Sequence, residues 1–238
     1  MTAPMRLLDR SRPPRAVAAR LHDAEAWAFD WDGTLIDSIG RTLATYRQLL
    51  GEFGIAFDEV DFRAHYAPDW RRIYRRVGLA EAHWPEADRR WVALYETEVA
   101  GLVAGTAAAL TALRDAGRRI AIVTAGHRSR VELEIRANGL EGLFEAAIFG
   151  DEVPHQKPDP APLQLAGKYL RLAPDALVLV GDAGDDMAMA RRAGATAIGV
   201  LTGAADRGTL RRAGAGWVAQ DVVAAVAASG RGEAPERV

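Results

Sequence analysis

Short apolar runs without polar alternation limit what this chain can fold into more than any other feature of its sequence. They are Ala26–Phe29, Ile120–Val123, Ala147–Phe149, Leu177–Val180 and Ala197–Val200. A strand with one wet face alternates apolar and polar residues, whereas a strand covered on both faces reads as an unbroken apolar run. Helical patterns lie between the runs. Thr106 is placed to cap a helix whose Leu110 and Leu113 share a face and which Gly117 stops; Val131 and Ile135 sit one turn apart before Gly139. Leu163–Leu170 follows a proline-rich entry, and Ala188–Ala193 is closed by Gly194. Alternating strands and helices predict an α/β fold, a doubly wound, Rossmann-like parallel sheet.

The block from 39 to 103 breaks this rhythm. It is rich in Arg, Glu, Trp and Tyr, carries no strand signal and separates the first run from all the others. The expected division is an N-terminal extension (1–25), a core (26–38 and 104–228), a helical cap inserted at 39–103, and a disordered tail (229–238). Ser38 is expected to cap the first inserted helix and Asp37 to shape the hinge. Trp84 and Trp91 are seven residues apart, on one helix face, which reads as packing rather than ligand stacking.

Composition removes several functions. A net charge of −2 disfavours general nucleic-acid binding, and the absence of cysteine excludes disulfides, zinc–thiolate sites and thiol nucleophiles. No apolar run approaches the roughly 18 residues that span a bilayer. The arginine-rich first twenty residues lack the apolar stretch of a secretory signal and read as a flexible or peripheral arm, with an organellar presequence as the lesser reading. The expectation is a soluble, cytoplasmic monomer or homodimer with no nucleic-acid or membrane partner. Positive charge is nearly all arginine; Lys157 and Lys168 are the lysines. Such scarcity marks a place where a guanidinium does not substitute for an ammonium.

Four clusters that can carry chemistry each follow a strand run, and in open α/β sheets ligands bind at the carboxyl ends of strands. The first is Asp30-Trp31-Asp32-Gly33-Thr34. Two carboxylates two residues apart in extended chain point the same way, and Gly33 permits a sharp turn. Such a pair can divide the work of nucleophile and general acid/base. The second is Thr124, whose hydroxyl and the N–H groups of Ala125 and Gly126 would face the same edge, ready for phosphate oxygens. The third, Gln156-Lys157-Pro158-Asp159-Pro160, holds the scarce lysine in a stiff segment. The fourth, Asp182-Ala183-Gly184-Asp185-Asp186, offers hard oxygen donors suited to Mg²⁺.

In this order, from about Ala26 to Ala228, the clusters resemble the motifs of the haloacid dehalogenase (HAD) superfamily of phosphohydrolases. The position of the insert resembles the helical cap of phosphoglycolate phosphatases and β-phosphoglucomutases. The resemblance implies an aspartyl-phosphate on Asp30, with Asp32 protonating the leaving alcohol and then activating water. A raised pKa at Asp32 would suit that acid role. Thr124 and Lys157 would hold the phosphoryl group, with Gly33, Thr34, Ala125 and Gly126 beside it. Asp30, Asp32 (through its main-chain carbonyl), Asp182 and Asp186 would bind Mg²⁺, Asp186 through water or on Lys157, with Asp185 a less certain neighbour. Asp32 argues against dehalogenases, and the lack of a lysine in the insert argues against Schiff-base members.

Substrate choice would fall to the cap. Within Asp69–Arg76, Arg71, Arg72, Arg75 and Arg76 form a basic helical stripe, read either as a clamp for a second anionic group or as a solvated face. His65, His83, His127 and His155 are further candidates. A phosphatase for a small phosphorylated metabolite leads, with a phosphoglycolate-like acid, a sugar phosphate or a nucleotide as the candidate esters; a phosphomutase of the β-phosphoglucomutase type and a non-catalytic binding module of the same fold stay open.

Overall fold

The computed structural model describes residues 12–65, 70–95 and 99–230. Each expected apolar run joins one sheet: β1 (Ala26–Phe29), β2 (Arg119–Val123), β3 (Ala146–Ile148), β4 (Leu177–Gly181) and β5 (Thr196–Val200). A further short strand, β6 (Trp217–Ala219), completes six parallel strands in the order β3-β2-β1-β4-β5-β6. Successive strand residues point to opposite faces, and both faces are covered. Trp27, Phe29, Val178 and Val180 enter one apolar cluster, while Ala28, Val123 and Leu179 enter the other. Each fully buried Leu, Val or Phe adds about 1.5–3 kcal/mol to the driving force.

The chain reverses its winding direction between β1 and β4, and a crevice opens at their carboxyl ends. Phe29 is in register with both Ile122 and Val180. That alignment carries Asp30, Thr124 and Asp182, each just past its strand, to the same edge.

The helices are α1 (Arg15–Asp23), α2 (Ile39–Glu52), α3 (Glu59–His65), α4 (Trp70–Arg76), α5 (Trp84–Tyr95), α6 (Thr106–Asp115), α7 (Arg128–Ala137), α8 (Ala161–Leu170), α9 (Gly184–Ala193), α10 (Arg207–Ala213) and α11 (Val222–Ala227). Helices α2–α5 build a separate apolar cluster around Tyr46, Leu49, Leu50, Phe62, Ile73 and Tyr74. The two crossings between this block and the sheet are tied together. Asp37 N–H donates to Gly101 O and Val103 N–H to Leu35 O, both at 2.9 Å.

Several local expectations are corrected. The segment before β1 is not simply an arm: α1 forms within it, and its Leu21 is fully buried in the core. Thr106 is the first residue of α6 rather than its cap; Gly105, in the left-handed region at φ 81°, takes the cap position. Ser38 sits before α2, but its hydroxyl makes no capping bond. The expected tail is described only to Gly230.

Candidate active site

Strand ends supply the floor of the site. Asp30, Asp182 and Asp186 are buried, and one carboxylate oxygen from each lies within 4.8 Å of the others. Between them runs the buried Lys157, whose Nζ is 2.6 Å from Asp30 Oδ1 and 2.6 Å from Asp186 Oδ1. Asp186 Oδ2 also accepts the Ala183 N–H, which ties it to the start of α9. The oxygens sit so close because glycines line them. A methyl group on Gly203 would stand 1.7 Å from Asp182 Oδ2, and one on Gly33 (φ +74°) 2.8 Å from the same atom. Asp182 Oδ2 accepts the Ala204 N–H at 3.2 Å.

Charge crowding sets the protonation of this floor. Burial pushes Asp30 up to about 6 from the usual 3.8, against the pull of Lys157 and with help from Asp186. Asp182 is raised well above its usual value by burial, then by Asp30 and Asp186. Burial alone would lower Lys157, but its two carboxylate partners outweigh that and raise it.

Asp32 stands apart from this group. Arg130, on α7, holds it with both terminal nitrogens (Nη1–Oδ1 3.1 Å, Nη2–Oδ2 2.5 Å), and the Tyr95 hydroxyl donates to Oδ1 at 3.1 Å. Arg130 is fixed in turn by Glu134 one turn along, at 2.9 Å. Buried Glu134 also accepts from Trp31 Nε1 at 2.7 Å and Arg41 at 2.8 Å. Gly126 leaves room for the fork: a methyl there would meet Arg130 Nη2 at 2.3 Å. The raised pKa expected for Asp32 is therefore corrected. Burial pushes it up, but the charge and hydrogen bonds of Arg130 prevail and lower it.

Above the floor opens a cavity of about 520 Å³, walled by Asp30, Asp32, Asp182 and Thr124 on the sheet side and by Tyr46, Trp91 and Tyr95 on the cap side. A family model described as haloacid dehalogenase-like hydrolase matches residues 28–200, across this whole site. The chain belongs to that family. Among its relatives are a phosphoglycolate phosphatase of Cereibacter sphaeroides, 34% identical over 70% of this chain and 80% of the relative, and a pyrophosphatase of Bacillus velezensis, 28% identical over 72% and 81%. A hydrolase structure from Pseudomonas syringae superposes with a TM-score of 0.78 at 25% identity, covering 86% of this chain and 96% of that one.

The haloacid dehalogenase-like site has the donors for a hard cation. Asp182 Oδ1 is buried and meets no hydrogen-bond donor among the described residues, an arrangement that costs free energy unless a positive charge answers it. Together with Asp30 and Asp186 it makes an all-oxygen donor set, which suits Mg²⁺.

Not every expected residue reaches the cavity of this hydrolase. Thr124, Ala125 and Gly126 line it, although the Gly126 N–H is engaged by Thr124 Oγ1 at 2.9 Å. Thr34 Oγ1 lies 3.5 Å from Asp30 Oδ2, at the limit of a hydrogen bond. The arginine stripe is elsewhere. Arg72 pairs with Asp185 at 2.6 Å, Arg71 reaches Asp88 at 3.4 Å, and Arg75 lies 5.3 Å over the Trp84 ring. None of the three lines the cavity. His127 does; His83 packs on Phe53, and His155 is exposed. The side chain of His65, and Asp69, lie outside the described residues. Trp91 packs as expected, against the apolar cluster of α2–α5 and stacked on Tyr95, and it also forms part of the cavity wall.

Arg130, Glu134, Tyr95 and Gly203 were not singled out in the sequence. The Arg130–Glu134 spacing of one helical turn is legible, but it reads as an ordinary surface pair until α7 is placed.

Proposed function

We propose that this hydrolase is a Mg²⁺-dependent phosphomonoesterase that forms an aspartyl-phosphate on Asp30. The observation that carries the reading is the buried Asp30–Lys157–Asp186 ion triad, with Asp182 beside it, at the floor of a cavity. Asp30 attacks phosphorus, and the bond to the leaving oxygen breaks. Lys157 holds the attacking carboxylate in place and offsets the negative charge that accumulates as phosphorus is transferred. Thr124, at the end of β2, is positioned to hold a phosphoryl oxygen. Asp30 and Asp182 would hold the cation, with the Asp32 carbonyl and Asp186 as further oxygen donors, and it would supply charge neutralisation at the phosphoryl group.

Asp32 gives a proton to the departing alkoxide and later takes one from the water that hydrolyses the intermediate. With Arg130 on it, Asp32 is held in the ionised form suited to the second role. Its first role requires the pair to loosen when the ester occupies the cavity.

Phosphate release from a panel of phosphate monoesters, with Mg²⁺ and with EDTA, tests the reading. Turnover should need Mg²⁺ and vanish in Asp30→Asn. Turnover that survives in Asp30→Asn would sink the covalent route, and turnover untouched by EDTA would sink the metal dependence.

A further inference from the structure

Granting the phosphomonoesterase reading, we infer that the ester this cavity takes is that of a ring-bearing alcohol, seated against Trp91 and Val92, rather than that of a two-carbon acid.

Size is the first argument. Phosphoglycolate has nine non-hydrogen atoms. Even at about 30 Å³ each, the share of a water molecule in the liquid, it would occupy about 270 Å³. The cavity measures about 520 Å³, in the range of pockets that enclose ligands with a ring system. The same cavity runs from the Asp30 and Asp182 carboxylates to the cap helices, so the surplus space is continuous with the floor.

The chemistry of the wall is the second. Trp91 and Tyr95 stack with ring centroids 4.4 Å apart and planes 12° apart, and Tyr46 lies 6.1 Å from Trp91. Val92 completes the wall and is 41% exposed, so part of its side chain stays wet unless a ligand covers it. The Tyr95 and Tyr46 rings are themselves covered, Tyr95 by Trp91 and by Arg41 at 3.9 Å. The surface left for a ligand is the accessible part of Trp91 with Val92, which can stack on a planar ring and remove its apolar area from water. The wall also adjoins the reacting end of the site, where the hydroxyl of Tyr95 donates to Asp32.

The cations that could clamp a small carboxylate are committed or solvated, which is the third argument. Arg130 is engaged by Asp32 and Glu134, and Arg72 by Asp185. Arg89 lines the cavity but is exposed, where it attracts any anionic ester without discriminating between them.

The test compares kcat/KM of the full chain with Mg²⁺ for benzyl phosphate, adenosine 5′-monophosphate, ethyl phosphate and phosphoglycolate. All four are esters of primary alcohols, which limits differences in intrinsic reactivity. Ring esters should lead on the order of tenfold to hundredfold. Trp91→Ala should raise KM for the ring esters by more than for ethyl phosphate and so erase that lead, and Trp91→Phe should keep most of it. Val92→Gln, at an exposed position that should not disturb folding, should weaken ring esters selectively. A preference for phosphoglycolate, or equal losses for all four esters in the Trp91 and Val92 variants, would overturn the inference while leaving the phosphatase reading intact. Failure of the wild type to cleave any ester would overturn that reading and this inference with it.

Discussion

Arg130 reaches Asp32 with both arms of its guanidinium, 3.1 and 2.5 Å, although 98 residues separate them in the chain. A carboxylate so held resists protonation, because losing its charge forfeits two charge-assisted hydrogen bonds. Arg130→Met removes the opposing charge and leaves burial to dominate, so the pKa of Asp32 should rise. The pH limb of kcat/KM governed by this group should therefore move to higher pH in the variant. A limb that stays in place would show that the pair already opens in the reacting complex.

The floor of the site makes a prediction about metal and protons. Asp30 titrates near 6 when folded and near 3.8 when not, and Asp182 is raised in the same sense. The folded protein therefore binds more protons than the unfolded chain above pH 3.8, and that contribution to stability is lost as pH rises through about 6. The Tm of the metal-free protein should fall across this window. The increment produced by Mg²⁺ should grow over the same range, because the cation displaces these protons. Calorimetry at several pH values, with and without Mg²⁺, gives the answer; an increment independent of pH would mean these carboxyls do not hold the ion.

Gly203 is a contact that no motif announces. Its missing side chain is the space Asp182 Oδ2 occupies, at 1.7 Å from where a methyl would stand. Gly203→Ala should displace the carboxylate and weaken Mg²⁺ affinity by about ten- to a hundredfold, the scale of lost supporting contacts at metal sites. Titration of activity against Mg²⁺ measures it. An unchanged half-saturation would remove Asp182 from the donor set.

Glu134 accepts from Trp31, Arg41 and Arg130, with its side chain 2% exposed. Glu134→Ala leaves two guanidinium groups facing each other in a nearly dry space. Breaking a buried pair in this way costs about 3–5 kcal/mol. Urea unfolding should report a loss of that size, and a loss under 1 kcal/mol, the level of an exposed pair, would show that water already reaches these groups.

The strands of the sheet were legible because burial on both faces leaves an unmistakable mark: Leu177–Val180 and Ile120–Val123 contain no polar residue. Strand β6 and helix α1 were missed because each is short and takes its stability from packing, β6 against β5 and α1 through Leu21. A three-residue strand such as Trp217–Ala219 has too few positions to display a period.

The residues to which we assign the chemistry were readable for a local reason. Asp30, Asp32, Thr124, Lys157, Asp182 and Asp186 follow strand runs or stiff segments at spacings that few other functions use. Their family was readable from the order of the clusters, and the match over 28–200 agrees with it. What those residues touch was decided by the tertiary structure. Register and sheet order brought Asp30 and Asp182 together, the placement of α7 delivered Arg130 to Asp32, and α5 set Trp91 where the cap's apolar cluster borders the cavity. Such pairings depend on which helix face packs against which strand end, and on the volume left by residues such as Gly126 and Gly203. Sequence alone determined which groups are available and where their strands end; packing, which sums contacts between residues far apart in the chain, decided their partners and hence their charge.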